Sequence, residues 1–386
     1  MIVRAGAPDP GTVVGGSLEE TPHGAILVAR RFYPLHHRHG SVSLGAALEV
    51  APEILGLLSR AAAEGPPADR LLYLDIETTG LAGGTGTYPF LVGVGFFEGG
   101  RFVVQQYFLR DLDEEPALLS SVHALLPRFE GLVTYNGRTF DLSLLETRFV
   151  LARRPWPGTP WHLDLLPAAR RLWGSRLPDC RLVTVEAHAL GIRRENDLPG
   201  SLVPSLYFDY LRHRHPGALP RLFAHNLLDL LSLVALTAWV SRALSRPDRV
   251  PLSAAEYVGL GRLWESRSRE RGRECYRAAL AQGLPPGERE RLLLRLAGLA
   301  KGERRWEEAC GLWRAAIAEA PAFRLWPWEE LAKYYEHRSR DLPAALGVVV
   351  EAMGRAAQSD AEALERLAYR LARLARRRSA ASQPGS

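Results

Sequence analysis

Two β-rich runs, Phe90–Phe97 and Phe102–Phe108, meet at Glu98-Gly99-Gly100, and this hairpin constrains the fold more than any other feature. A glycine pair between such runs supplies the positive φ angles of a tight turn without a Cβ clash. A strand pattern precedes it at Leu71–Ile76. Beyond it the pattern alternates: helix at Glu115–Leu126, strand at Gly131–Tyr135, helix at Phe140–Ala152, strand at Trp161–Leu165, then helices at Leu182–Leu190 and His225–Ala243. A meander that passes into strand–helix alternation predicts an α/β domain built on a mixed sheet flanked by helices.

The rest of the chain divides around that domain, which is expected over residues 66–247. Residues 1–65 read as an accessory lead-in with short apolar runs at Ala25–Ala29 and Ile54–Leu58, followed by a linker at Glu64–Asp69. From about Leu252 the pattern is helical and repeats: Tyr276-Arg277-Ala278-Ala279-Leu280-Ala281 recurs as Trp313-Arg314-Ala315-Ala316-Ile317-Ala318. Trp328, Leu331, Ala332 and Tyr335 fit the opening of a tetratricopeptide repeat, and Leu293, Leu296, Ala297, Ala300, Ala309, Trp313, Ala316 and Pro321 fall at that repeat's offsets. A TPR-like helical repeat domain is therefore expected over 252–378, with a plain helical bundle as the alternative. The tail, 379–386, follows Arg376-Arg377-Arg378, read as a frayed basic terminus.

Composition narrows the classes. No apolar run is read as long enough for a bilayer, and the N-terminus lacks a signal-peptide pattern. Cys180, Cys275 and Cys310 lie far apart, which excludes a disulfide framework and a thiolate zinc site and fits a reducing cytoplasm. The net charge of +6 favours polyanionic partners. The basic residues are nearly all arginine, with Lys301 and Lys333 the only lysines.

Three elements carry chemistry. In Leu74-Asp75-Ile76-Glu77-Thr78-Thr79-Gly80-Leu81, strand alternation sets Asp75 and Glu77 on one face, where paired acids repel and suit a hard divalent cation. Taken alone, solvated acids at a strand end fit equally well. In Thr134-Tyr135-Asn136-Gly137-Arg138-Thr139-Phe140-Asp141, a strand and Asn-Gly turn bring Asp141 to a helix start, where a carboxylate also stabilises the helix dipole. In His225-Asn226-Leu227-Leu228-Asp229, the four-residue spacing puts His225 and Asp229 on one helix face.

The ordered set DxE, NGxxFD, HxxxD resembles the three motifs of DnaQ-like DEDD 3′→5′ exonucleases, which have a ribonuclease H-like fold. The second segment also resembles the proofreading domain of B-family DNA polymerases. More narrowly, Glu77–Tyr88, His162–Leu166, Asp197-Leu198-Pro199-Gly200 and Tyr207–Tyr210 are similar to the YprB-type bacterial ribonuclease H-like family, whose members often carry a C-terminal TPR-like region. The resemblance implies a two-metal-ion nuclease using Mg²⁺ or Mn²⁺ on single-stranded DNA or RNA. Asp75 is implied to bridge both ions, Glu77 and Asp229 to complete one site, Asp141 to hold the second, and His225 to act as general base. The family places a catalytic His five residues before the last Asp, and a Tyr four before; here His225 stands at four, so a role as capping or supporting partner to Asp229 stays open. Thr78, Thr79, Leu81 and Asn136 are substrate-binding candidates. The alternatives are an endonuclease on hybrid or branched duplex, and a non-catalytic scaffold binding a protein partner through the repeats.

Other features carry blander expectations. His36-His37-Arg38-His39 is expected to be a solvated loop, since neighbouring histidines on extended chain diverge. Gly83-Gly84-Thr85-Gly86-Thr87 lacks the ending of a Walker A loop, although its backbone N–H groups suit a phosphate. Asp164 is either a fifth acid or an organiser of the helices. The tryptophans of the helical region are expected in its core first and as stacking platforms second.

Overall fold

The computed structural model describes residues 8–61, 63–80, 84–158, 160–195, 197–356 and 360–381. The chain forms two compact units, Met1–Leu252 and Ser253–Ser386.

The first unit opens with α1 (Pro10–Val14), then strands β1 (Gly16–Thr21) and β2 (Gly24–Pro34), a small hairpin of β3 (Arg38–His39) and β4 (Val42–Ser43), and α2 (Pro52–Ser59). Strands β5 (Leu71–Thr78), β6 (Pro89–Glu98) and β7 (Arg101–Phe108) follow as the expected meander. Gly99 and Gly100 take φ of 57° and 73°, which is why this turn needs glycine. Next come α3 (Glu115–Leu125), β8 (Gly131–Thr134), α4 (Asp141–Leu151), β9 (Trp161–Asp164), α5 (Leu166–Trp173), α6 (Leu182–Ala189), α7 (Val203–His213) and α8 (Leu219–Ser245).

The sheet has seven strands in the order β1-β2-β7-β6-β5-β8-β9. The β5/β8 and β8/β9 pairs are parallel; the others are antiparallel. This is the expected mixed sheet, but it is wider. Residues 1–65, read as accessory, supply its first two strands. The short run Ala25–Ala29 is part of the 11-residue strand β2, which pairs with β7 from Leu27 to Pro34. Its outer half, Arg30–Pro34, alternates exposed and half-buried residues, so apolarity alone marks less than half of it.

β6 is buried from Pro89 to Phe96, and β5 is buried except at Asp75 and Glu77, which face a recess. Side chains from the sheet and from α3, α4 and α7 make one core that includes Phe90, Phe108, Leu118, Phe149 and Tyr207. The Phe90 and Tyr207 rings stack at 3.9 Å. Helix α8 begins before the expected His225 and is long and apolar enough, by length and composition, to cross a membrane, contrary to the expectation that no such run exists. Its most apolar window is 78% buried within the fold, as in the core helix of a globular domain.

The second unit is all-helical: α9 (Ala254–Trp264), α10 (Arg269–Gln282), α11 (Pro286–Gly302), α12 (Trp306–Glu319), α13 (Leu325–His337), α14 (Leu342–Ala356) and α15 (Ala361–Ala381). Sequential helices pack as hairpins, α9 on α10, α11 on α12, α13 on α14. The small residues at repeat offsets, Ala297, Ala300, Ala309, Ala316 and Ala332, are buried where neighbouring helices approach, beside Trp313 and Trp328. The basic run expected to fray is helical, and residues 382–386 of the expected tail lie outside the described residues. α15 runs through Arg376–Arg378, and Arg377 pairs with the buried Glu336.

A carboxylate recess as candidate active site

The recess is built across the sheet. Asp75 of β5 sits opposite Gly93 of β6, and Gly93 sits opposite Gln106 of β7. The buried Asn226 of α8 lies over this row. Its Nδ2 donates to Asp75 Oδ2 at 2.8 Å and to the Asp75 carbonyl at 3.1 Å, and its Oδ1 accepts from Gln106 Nε2 at 2.8 Å. A Cβ on Gly93 would stand 2.0 Å from Asn226 Oδ1, so the strand needs glycine there for the helix to reach Asp75. The β5–β6 register shifts at Glu77/Thr78, a bulge directly after the acid pair.

Glu77, His225 and Asp229 converge: one ligand atom from each lies within 4.8 Å of the others. His225 Nε2 is 3.9 Å from Glu77 and 3.8 Å from Asp229, while its Nδ1 lies 2.7 Å from Asp197 Oδ1. Their side chains keep only 12–16% exposure. Asp229 Oδ1 accepts from Arg194 Nη2, and the same guanidinium pairs with Glu186 at 2.6 Å and Asp197 at 3.1 Å. Glu186 also accepts from Ser232, whose hydroxyl is 2.8 Å from His39 Nε2. His39 is therefore no solvated loop residue: it is 7% exposed, and burial, with Arg194 and His37, lowers its pKa to about 4.

Asp141 opens α4 and is buried. Asn136 takes φ of 63°, and Asp164 accepts from the Asn136 N–H (2.8 Å), the Arg138 N–H (3.3 Å) and the Leu166 N–H (3.0 Å). Asp164 thus organises the turn before Asp141 and the start of α5. Asn136 is exposed, with Oδ1 accepting from Thr139 at 3.2 Å.

The acids are electrostatically frustrated. Burial first, then repulsion from Asp229, Glu77 and Asp141, pushes Asp75 well above the carboxylate range. Burial, then Asp229, Asp141 and Asp197, does the same to Glu77, with Arg194 opposing. Burial, then Asp164 and Asp229, raises Asp141 to about 7. Burial also acts on Asp197, but His225 and Arg194 outweigh it and hold that carboxyl below its ordinary value. Asp75, Glu77, Asp141 and Asp229 therefore act on one another despite their separation in sequence. Such a set is short of positive charge, since Arg194 is shared among Glu186, Asp197 and Asp229, and its oxygen donors with one imidazole fit a divalent cation.

The remaining candidates lie around the loop after β5. The Thr78 hydroxyl donates to the Gly80 carbonyl at 2.7 Å, and Thr79 Oγ1 accepts from the Tyr88 N–H at 2.9 Å, so both pin that loop. Leu81 lies outside the described residues. Gly84 and Gly86 of the glycine-rich segment have open space around them. The segment is held by Arg148, which donates to the Thr85 carbonyl at 2.7 Å, lies 3.8 Å over the Tyr88 ring and pairs with Glu115.

Asn226, Gly93, Gln106, Arg194, Glu186 and the role of Asp197 escaped the motif reading. Gly93 inside a strand was the available signal, since a mid-strand glycine marks a close approach. Nothing in the sequence links Arg194 to Asp229.

A model of the RNase_H superfamily matches residues 72–241. The uncharacterized protein YprB of Bacillus subtilis (strain 168) is 34% identical over 356 residues, covering 91% of this chain and 86% of its own. Among solved structures, the family B DNA polymerase of the hyperthermophilic archaeon Pyrobaculum calidifontis aligns at 16% identity over 53% of this chain and 30% of that chain, with a TM-score of 0.35.

Proposed function

This chain belongs to the RNase_H superfamily, and from that premise we propose that it is a metal-dependent 3′→5′ exonuclease acting on single-stranded DNA or RNA. The observation that carries the reading is the convergence of Glu77, His225 and Asp229, whose ligand atoms lie within 4.8 Å of one another, with burial and mutual repulsion raising Asp75, Glu77 and Asp141. The exonuclease character and the 3′→5′ direction rest on the resemblance of the three motifs to DnaQ-like DEDD exonucleases; the acids themselves support metal-assisted phosphodiester hydrolysis.

Asp75, Glu77 and Asp229 are the proposed holders of one Mg²⁺ or Mn²⁺ ion, and Asp75 with Asp141 of a second. Bound there, divalent ions supply neutralisation of charge on the attacking and leaving oxygens of an in-line displacement at phosphorus. Asn226 aims Asp75 by holding its Oδ2. Arg194 occupies Asp229 Oδ1, which leaves the other oxygen toward Glu77 and His225. Asp197 fixes His225 through Nδ1, so Nε2 is the nitrogen that faces the recess. In the proposed reaction that nitrogen takes the proton from the attacking water. Its closeness to Glu77 and Asp229 favours an alternative role, as a third ligand with them, which excludes the first because the one Nε2 lone pair cannot serve both a cation and a proton. In His225→Ala the base role appears as a changed pH–rate profile, and the ligand role as weakened metal binding by calorimetry.

The test uses end-labelled single-stranded DNA and RNA with Mg²⁺ or Mn²⁺. Shortening from the 3′ end is expected, stopped by chelator and by a blocked 3′ terminus. Asp75→Ala is expected to lower the rate about a thousand-fold, ~4 kcal/mol of barrier, with the far-UV circular dichroism spectrum retained. Cutting of a closed circular strand points instead to an endonuclease, and full activity in Asp75→Ala places the chemistry elsewhere.

A further inference from the structure

The helical unit carries a groove of about 1030 Å³, lined by α11, α12, α13, α15 and the residues just after α13. Six cations line it against three carboxylates. Two buried glutamates fix many of these cations. Glu330, with a side chain 6% exposed, is shared by Lys301 and Lys333, the only lysines of the chain. Glu336, with a side chain 0% exposed, is shared by Arg370, Arg373 and Arg377. Each buried anion gathers more positive charge than it cancels, so the wall keeps a fixed surplus.

Aromatic faces are interleaved with this charge. Tyr369 is 70% exposed on α15, between Arg366 and Arg370. Arg338 lies 4.4 Å over the Trp306 ring, and both line the groove with Tyr334. Along α15, Arg366, Arg370 and Arg373 face the groove at steps of four and three residues; Arg366 pairs with Glu329 at 2.8 Å, and Arg370 and Arg373 converge on Glu336.

We propose that this groove binds single-stranded nucleic acid, with Arg366, Arg370 and Arg373 on its phosphates and Tyr369 and the Arg338–Trp306 pair stacking on its bases. The proposal rests on the nuclease reading for the choice of polyanion. An acidic peptide also satisfies the charge, but it leaves the exposed aromatic and planar guanidinium faces unused, whereas stacking platforms beside a basic track are how single strands are held without sequence preference.

The test is a fluorescence-anisotropy titration of a labelled 20-nucleotide oligothymidylate against the full chain carrying Asp75→Asn, which keeps the probe intact. Pairing Arg366→Ala with Tyr369→Ala is expected to weaken binding about ten-fold and to flatten its salt dependence, and Arg338→Ala, on another part of the groove, to weaken it several-fold. Unchanged affinity in both variants overturns the proposal, as does a poly-glutamate peptide that binds more tightly than the oligonucleotide and is lost in the same variants. Hydrolysis by the wild-type chain is measured separately. Groove variants that lose binding when the wild-type chain cuts nothing leave the groove standing and remove the nuclease reading. A chain that cuts while its groove variants bind normally does the reverse.

Discussion

Both units bury carboxylates, with opposite imbalances. In the α/β unit, Asp75, Glu77, Asp141 and Asp229 crowd a recess where Arg194 is already divided among Glu186, Asp197 and Asp229. In the helical unit, Glu336 is ringed by three arginines and Glu330 by two lysines. Buried charge is costly unless matched. The first unit is short of positive charge and the second has more than its own acids use. The shortage fits a metal ion; the excess fits an external anion.

The largest expected effect tests the shortage. Asp141 is raised to about 7 from 3.8, so its folded form holds a proton that the unfolded chain releases earlier. Its stabilising contribution is complete below about pH 4 and is lost as pH climbs through about 7, on the order of 4 kcal/mol at ~1.4 kcal/mol per unit. In chelator, Asp141→Asn is expected to become progressively more stable relative to wild type as pH rises from 5 to 8, and Mn²⁺ at pH 8 to recover much of the wild-type loss. Thermal denaturation across that range checks it, and parallel curves for the two proteins break the contrast.

The next effect tests the surplus. Glu336→Gln removes the anion that three arginines share and is expected to destabilise the helical unit by about 2–3 kcal/mol, since it leaves cations partly buried without their partner. Urea denaturation followed by tryptophan fluorescence reads this, and the variant's loss should not respond to Mn²⁺. The smallest effect sharpens the role of second-layer groups in the recess. Asp197→Asn should keep the fold and lower metal affinity or activity about 10–100-fold, by loosening His225. Calorimetric titration of Mn²⁺ into the variant measures it, and unaltered affinity with unaltered rate detaches Asp197 from the site.

Much of the α/β unit was legible because its strands are apolar runs bounded by turns, and the glycine pair at 99–100 leaves few alternatives. The acids were legible because two sit at the end of an apolar strand and two on helices with clear periodicity. The supporting shell was not. Asn226 adjoins His225 in sequence, yet its task depends on Gly93 and Gln106 from two other strands. Arg194 lies in a segment without periodicity, and its three partners come from different elements. Pairings of that kind are set by tertiary packing and leave no local pattern. His39 misled for the same reason: its neighbours are polar, and its burial comes from distant helices.

The two strands at the amino end carry a practical consequence. Kinship with the superfamily is visible over residues 72–241, but β2 caps β7 through eight paired positions, Leu27–Pro34 against Arg101–Phe108. A fragment trimmed to the recognisable span bares that edge, leaving a row of backbone donors and acceptors ready to join another chain. For expression and crystallisation, the nuclease module is wider than its homology, and cloning boundaries belong ahead of β1 and beyond Leu252.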